Sequence, residues 1–151
     1  MFALRHFALL AVLAAAPVAT AQIAVMDPWV RGTVPAQKST GAFMQLKSAT
    51  DVALVSVSSP AAKVTELHEM RMEGGVMRMG AVKRLELPAG KVVTLSPGGY
   101  HLMLMELNAQ VREGDKVPLT LGFEDKAGKR FTVDVQATAR ALTTAMPHSK
   151  H

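Results

Sequence analysis

From Ile23 to Ala137 the sequence is a succession of short apolar runs cut apart by glycine and proline, and this punctuation limits the available folds more than any other feature. The runs are Ile23–Val25, Ser39–Lys47, Ala53–Ser58, Val64–Met72, Val76–Met79, Arg84–Leu87, Val92–Leu95, His101–Leu107, Val117–Phe123 and Arg130–Ala137. Between them stand turn formers such as Gly74-Gly75, Pro88-Ala89-Gly90, Pro97-Gly98-Gly99, Glu113-Gly114-Asp115 and Ala127-Gly128. In an extended chain alternate side chains share a face, so Val117, Leu119, Leu121 and Phe123 line one side of their run, and Phe131, Val133 and Val135 one side of theirs. No segment carries the 3.6-residue period of a long amphipathic helix. Many short strands at this spacing predict an all-β sandwich or barrel. With 151 residues, no linker and no internal repeat, the chain reads as a single domain able to bury a core without covalent staples.

The chain has no cysteine. That excludes a disulfide framework, a thiolate zinc or iron–sulfur site, a CxxC redox centre, a cysteine nucleophile and a blue-copper centre, whose metal needs a thiolate. Residues 1–21 have the three parts of a secretory signal peptide: Arg5 in a positive leading region, the apolar stretch Phe7–Ala16, and the A-x-A pattern Ala19-Thr20-Ala21. Cleavage is expected after Ala21. The apolar stretch is too short to span ~30 Å of hydrocarbon, and without cysteine there is no lipobox. The expectation is a soluble protein exported to a bacterial periplasm, monomeric and without stable membrane insertion. The net charge of +5 is dispersed rather than gathered into a stripe, so no nucleic-acid partner is expected. The domain is expected to span 22–140, followed by a flexible Met/His-containing tail at 141–151.

Ten methionines against one tryptophan and one tyrosine is an unusual balance, and Met70, Met72, Met77, Met79, Met103 and Met105 cluster with His68 and His101. If Val64–Met79 is a hairpin, its turn falls near Glu73-Gly74-Gly75, where glycine accepts positive φ. A loop at Glu73-Gly74 sets His68 directly opposite Met79; a loop at Gly74-Gly75 makes them diagonal neighbours on one face. His101 and Met103 stand two apart on a strand and share a face. Should the two pairs face each other, His68, Met79, His101 and Met103 converge. Thioethers are soft, neutral ligands that select Cu(I), and imidazole suits copper. A set without carboxylate or thiolate is poor for Mg²⁺, Ca²⁺ or structural Zn²⁺. Methionine is also an ordinary core filler, so spacing alone leaves packing open. Met105 is read as core, Met72 and Met77 as rim residues, and Met70 as the spare ligand.

The order His68, ten residues, Met79, twenty-one residues, His101, one residue, Met103 resembles the H-x10-M-x21-H-x-M signature of the periplasmic copper chaperones known as PCu(A)C. The segments Glu66-Leu67-His68-Glu69-Met70, Gly75-Val76-Met77-Arg78-Met79 and Pro97-Gly98-Gly99-Tyr100-His101-Leu102-Met103 resemble that family as well, and the likeness runs from Asp27-Pro28-Trp29-Val30-Arg31 to Ala139. The resemblance implies a cupredoxin-like Greek-key β-sandwich with a Cu(I) site made by those four residues. It implies delivery to cytochrome c oxidase, chiefly to the CuA centre of subunit II and in some members to CuB, beside Sco-type copper proteins. Some members carry a long Met/His-rich C-terminal extension that binds a second copper; here only Met146, His148 and His151 occur, a candidate weak site for Cu(II).

Catalysis is not expected. His68-Glu69 begins like a HExxH zinc motif but position 72 is Met72, and neither a G-x-S-x-G elbow nor a phosphate loop occurs. Transfer by ligand exchange at an exposed edge near Met79 and His101 is the expected mechanism. A periplasmic copper buffer or resistance protein is the alternative, since both roles need reversible Cu(I) binding.

Overall fold

Each apolar run becomes a strand in the computed structural model, which describes residues 22–141. The strands are β1 (Ile23–Arg31), β2 (Ser39–Ser48), β3 (Val52–Ser58), β4 (Ala62–Glu73), β5 (Val76–Ala81), β6 (Leu85–Leu87), β7 (Val92–Leu95), β8 (His101–Leu107), β9 (Lys116–Asp125) and β10 (Arg130–Arg140). They hydrogen-bond in the order β5-β4-β8-β2-β1-β10-β9-β3-β6, and β7 pairs with the second half of β2. Only β1 and β10 run parallel among these pairs. The path folds over on itself into a sandwich. Leu102 and Leu104 of β8 and Ala42, Met44 and Leu46 of β2 join Leu119, Leu121 and Phe123 of β9 in one buried cluster. The alternation of β9 appears as read, with Val117, Leu119, Leu121 and Phe123 all buried.

The first strand is longer than its apolar pattern suggests. Asp27-Pro28 interrupts the pattern, and proline cannot donate to a ladder. The chain absorbs this with a bulge between Met26 and Trp29, Asp27 adopts a φ of 48°, and pairing resumes at Trp29↔Phe43 and Val30↔Ala42. That irregularity carries Trp29 and Arg31 to the face that holds the histidines. At the far end of the path, Lys126 beside Asp51 (2.7 Å) holds that exposed carboxyl below the usual carboxylate range, and the Ala89 amide donates to it as well.

Candidate metal site

The His/Met residues are placed by which side of one strand faces the core. On β8, Leu102 and Leu104 point inward and are fully buried. Alternation therefore sends His101, Met103 and Met105 to the outer face. Cross-strand register carries the same face onto the neighbours: His101 opposes His68, Met103 opposes Glu66 and Gly41, and Met105 opposes Val64 and Ser39. Met105 is thus a half-buried residue of the outer face and lies outside the core cluster, contrary to its reading as core. A bulge-like φ of 54° at Glu106 returns Leu107 to the interior.

The β4–β5 hairpin turns at Gly74-Gly75, both with positive φ (57° and 80°), as a two-residue primed turn demands. Of the two registers the sequence allows, this is the one that makes His68 and Met79 diagonal: Met70 opposes Met79 and His68 opposes Ala81.

Met79 and His101 are in contact, with Sδ 2.9 Å from Nε2. The other nitrogen of His101, Nδ1, lies 3.0 Å from the carbonyl oxygen of Gly99. A carbonyl only accepts, so Nδ1 carries a proton toward it, and in the neutral ring Nε2 is the lone pair that faces the Met79 sulfur. The ring centroids of His68 and His101 are 6.0 Å apart. His68 donates from Nε2 to the Glu66 carboxylate at 2.8 Å, and its buried Nδ1 has no hydrogen-bond partner. With both rings neutral, one thioether sulfur and two imidazole nitrogens are the soft or borderline donors gathered here. Each imidazole is held by a carboxylate or a backbone carbonyl, as metal-ligating histidines are.

An open cleft of about 290 Å³ adjoins the site, lined among others by Met70, Met79, His101, Met103, Phe43 and Arg31. Met70, read from the sequence as the spare ligand, opposes Met79. Access differs between the ligands: Met79 is 51% exposed, whereas His101 is 5% exposed. Of the four candidate ligands Met79 is the exposed one, and His101 is buried. Met72 and Met77 are exposed farther along the hairpin. Met146, His148 and His151 lie outside the described residues.

Sequence reasoning passed over Glu66, Gly99, Gly41 and Phe43. Glu66 stands two residues before His68, a spacing that shares a face in a strand and was a readable signal. Phe43 closes the site from the side, 6.4 Å from His101 and 4.5 Å from Trp29 between ring centroids. Arg31 covers the Phe43 ring and Arg140 covers Trp29. Gly41 makes room for that ring: a Cβ there would stand 2.7 Å from the Phe43 Cζ. Gly41→Ala is expected to displace Phe43 from His101 and to cost about 1–3 kcal/mol by overpacking. A thermal melt together with the His101 ring resonances measures both effects.

A family described as "Putative lipoprotein LpqE-like" matches residues 23–137. The "Putative lipoprotein Lxx21020" of Leifsonia xyli subsp. xyli is 34% identical over 118 residues, covering 76% of this chain and 69% of the relative. Among solved structures, the copper-bound PCuAC domain from PmoF2 superposes with a TM-score of 0.62 at 24% identity, over 79% of this chain and 92% of that one. The solution structure of CuI-DR1885 from Deinococcus radiodurans superposes with a TM-score of 0.52 at 30% identity, over 85% and 81%. The sandwich is thus the cupredoxin-like fold of PCuAC domains. Matched over nearly all of its described strands and folded as those domains are, the chain belongs to the LpqE-like, PCu(A)C family.

Proposed function

We propose that this protein is an exported Cu(I) chaperone that holds the ion between His68, Met79, His101 and Met103 and hands it to the CuA centre of cytochrome c oxidase. The observation that carries the reading is the contact of two candidate donor atoms at 2.9 Å, Met79 Sδ against His101 Nε2, beside a His68 Nδ1 that has no hydrogen-bond partner. With the ring neutral, two acceptors face each other, and a soft cation bound by both relieves that contact. A neutral thioether–imidazole set favours Cu(I) over hard divalent ions. The copper-bound PmoF2 domain and CuI-DR1885, which share this fold, support the same cargo. The family resemblance supplies the oxidase as client and a Sco-type protein as co-worker, and the relatives' description as lipoproteins supports export.

Half-exposed Met79 is the ligand an acceptor reaches first. An incoming thiolate displaces its thioether while the histidines still hold the ion, and no change of oxidation state is needed. Glu66 and the Gly99 carbonyl keep both imidazoles aimed throughout. Glu66→Ala is expected to lower Cu(I) affinity by about 10–100-fold, the usual cost of losing a group that orients a ligand. Competition with a chromophoric chelator measures it.

The reading itself is tested by titrating the chain from Gln22 onward with Cu(I) against that chelator, then adding the apo CuA domain of subunit II. One tight equivalent that moves to the CuA domain is the expected result. One that stays behind makes the protein a copper buffer, and failure to compete with the chelator overturns copper binding altogether.

A further inference from the structure

The outer half of the β4–β5 hairpin has two unlike faces. On one, Arg71 opposes Arg78, and Arg71 and Arg78 pair with Glu69 and Glu73 at 3.5–3.7 Å. On the other, Met72 directly opposes Met77, and Met70 opposes Met79. Met72 is 65% exposed and Met77 50%. Neither belongs to the core cluster, so packing does not account for them. One exposed methionine is ordinary. Two facing rows of them, continuous with the His68–His101 site on a hairpin otherwise charged, form an organised surface. Every large exposed apolar side chain on that face from Met70 to Met79 is a methionine, where leucine or valine would serve a purely apolar contact equally well.

We infer that Met72 and Met77 form a thioether landing site for Cu(I), one step outside the tight site, through which the ion passes by way of Met70 and Met79. The inference rests on the Cu(I) reading above. Facing residues on paired strands have Cβ atoms about 4.5–5.5 Å apart, within the span of two thioethers closing on one ion. Successive rows on one face lie about 7 Å apart, a distance that flexible methionine side chains bridge. The ion remains Cu(I) throughout. A Cu–S bond to Met70 or Met79 forms as the bond to Met72 or Met77 breaks, and no electron or proton moves. Two neutral sulfurs without imidazole hold the ion more weakly than the inner set, so the outer pair is visited rather than filled. The primed turn at Gly74-Gly75 fixes the register that keeps the sulfurs opposed.

The test uses the chain from Gln22 onward, which contains every described strand. Methionine methyl groups are labelled with ¹³C and Ag(I), a redox-inert stand-in for Cu(I), is added. The first equivalent is expected to shift the Met79 and Met103 methyls, and excess Ag(I) to shift those of Met72 and Met77. In a second arm, the volume-conserving double variant Met72→Leu/Met77→Leu is loaded with one Cu(I). Its equilibrium affinity is expected to stay within about twofold of the parent, while the rate of Cu(I) loss to bicinchoninate falls about tenfold, ~1.4 kcal/mol of barrier. Unshifted Met72 and Met77 methyls, or an unchanged loss rate, overturn the landing site and leave the tight site standing. A tight affinity lost with the double variant also overturns it, because the pair would then belong to the inner set. Absence of any response at the Met79 and Met103 methyls to the first equivalent defeats the Cu(I) reading itself.

Discussion

Replacing Met79 by leucine and His101 by alanine together is expected to lower Cu(I) affinity by more than about three decades while the sandwich stays folded. Four-ligand structural metal sites bind with roughly 10–16 kcal/mol. Removing two of four ligands forfeits on the order of half of that, and every 1.4 kcal/mol is a factor of ten. Stability responds differently, because Met79 is half exposed and His101 lies on the outer face, outside the apolar cluster. The structural losses are the His101–Gly99 hydrogen bond, worth about 1 kcal/mol, and the packing of the buried His101 ring beside Phe43. Chelator competition and a thermal melt on the same sample separate the two. An unfolded double variant would mean these side chains serve packing. A folded one with unchanged affinity would mean that the contact between them has nothing to do with an ion.

Phe123→Ala is expected to do the opposite. Phe123 is wholly buried on β9 and stacks on Phe131 of β10 with ring centroids 5.5 Å apart. Truncating a buried phenylalanine costs about 3–5 kcal/mol, through lost transfer energy and the cavity left behind. Against a total stability of roughly 5–15 kcal/mol that is a large fraction, and for a domain of this size it lowers the melting temperature by about 10–20 °C. The site is built on the outer face of β4, β5 and β8, so the folded fraction is expected to bind Cu(I) with unchanged stoichiometry. A melt followed with and without one equivalent of Cu(I) reads both quantities. Copper should raise the midpoint of this variant, because it binds only the native state, and fail to raise that of the Met79/His101 variant.

The strand content was legible because burial on one face and solvent on the other force a two-residue period, and glycine and proline mark where pairing stops. All ten runs became strands, nine of them with ends close to those read. The exception, β1, was read short because Asp27-Pro28 breaks the local pattern, whereas pairing on both sides with β2 and β10 carries the strand through a bulge. The four candidate ligands were legible from side-chain chemistry and spacing. Which loop closed the hairpin was not. That depends on both Gly74 and Gly75 taking positive φ, a choice made by the twist of the paired strands.

Sequence alone therefore determined the alternation of strands and turns, the exclusion of thiolate chemistry, and the supply of soft candidate donors, because each depends on residue type and near neighbours. Tertiary structure decided the rest. Leu102 and Leu104 had to enter the core, and this turned His101, Met103 and Met105 outward. Pairing of β4 with β8 brought residues more than thirty positions apart, such as His68 and His101, side by side. Pairing of β2 with β8 set Phe43 beside His101, with Gly41 leaving the space. Contacts between distant strands follow from how the whole sheet closes on its apolar face, and no local pattern encodes that closure.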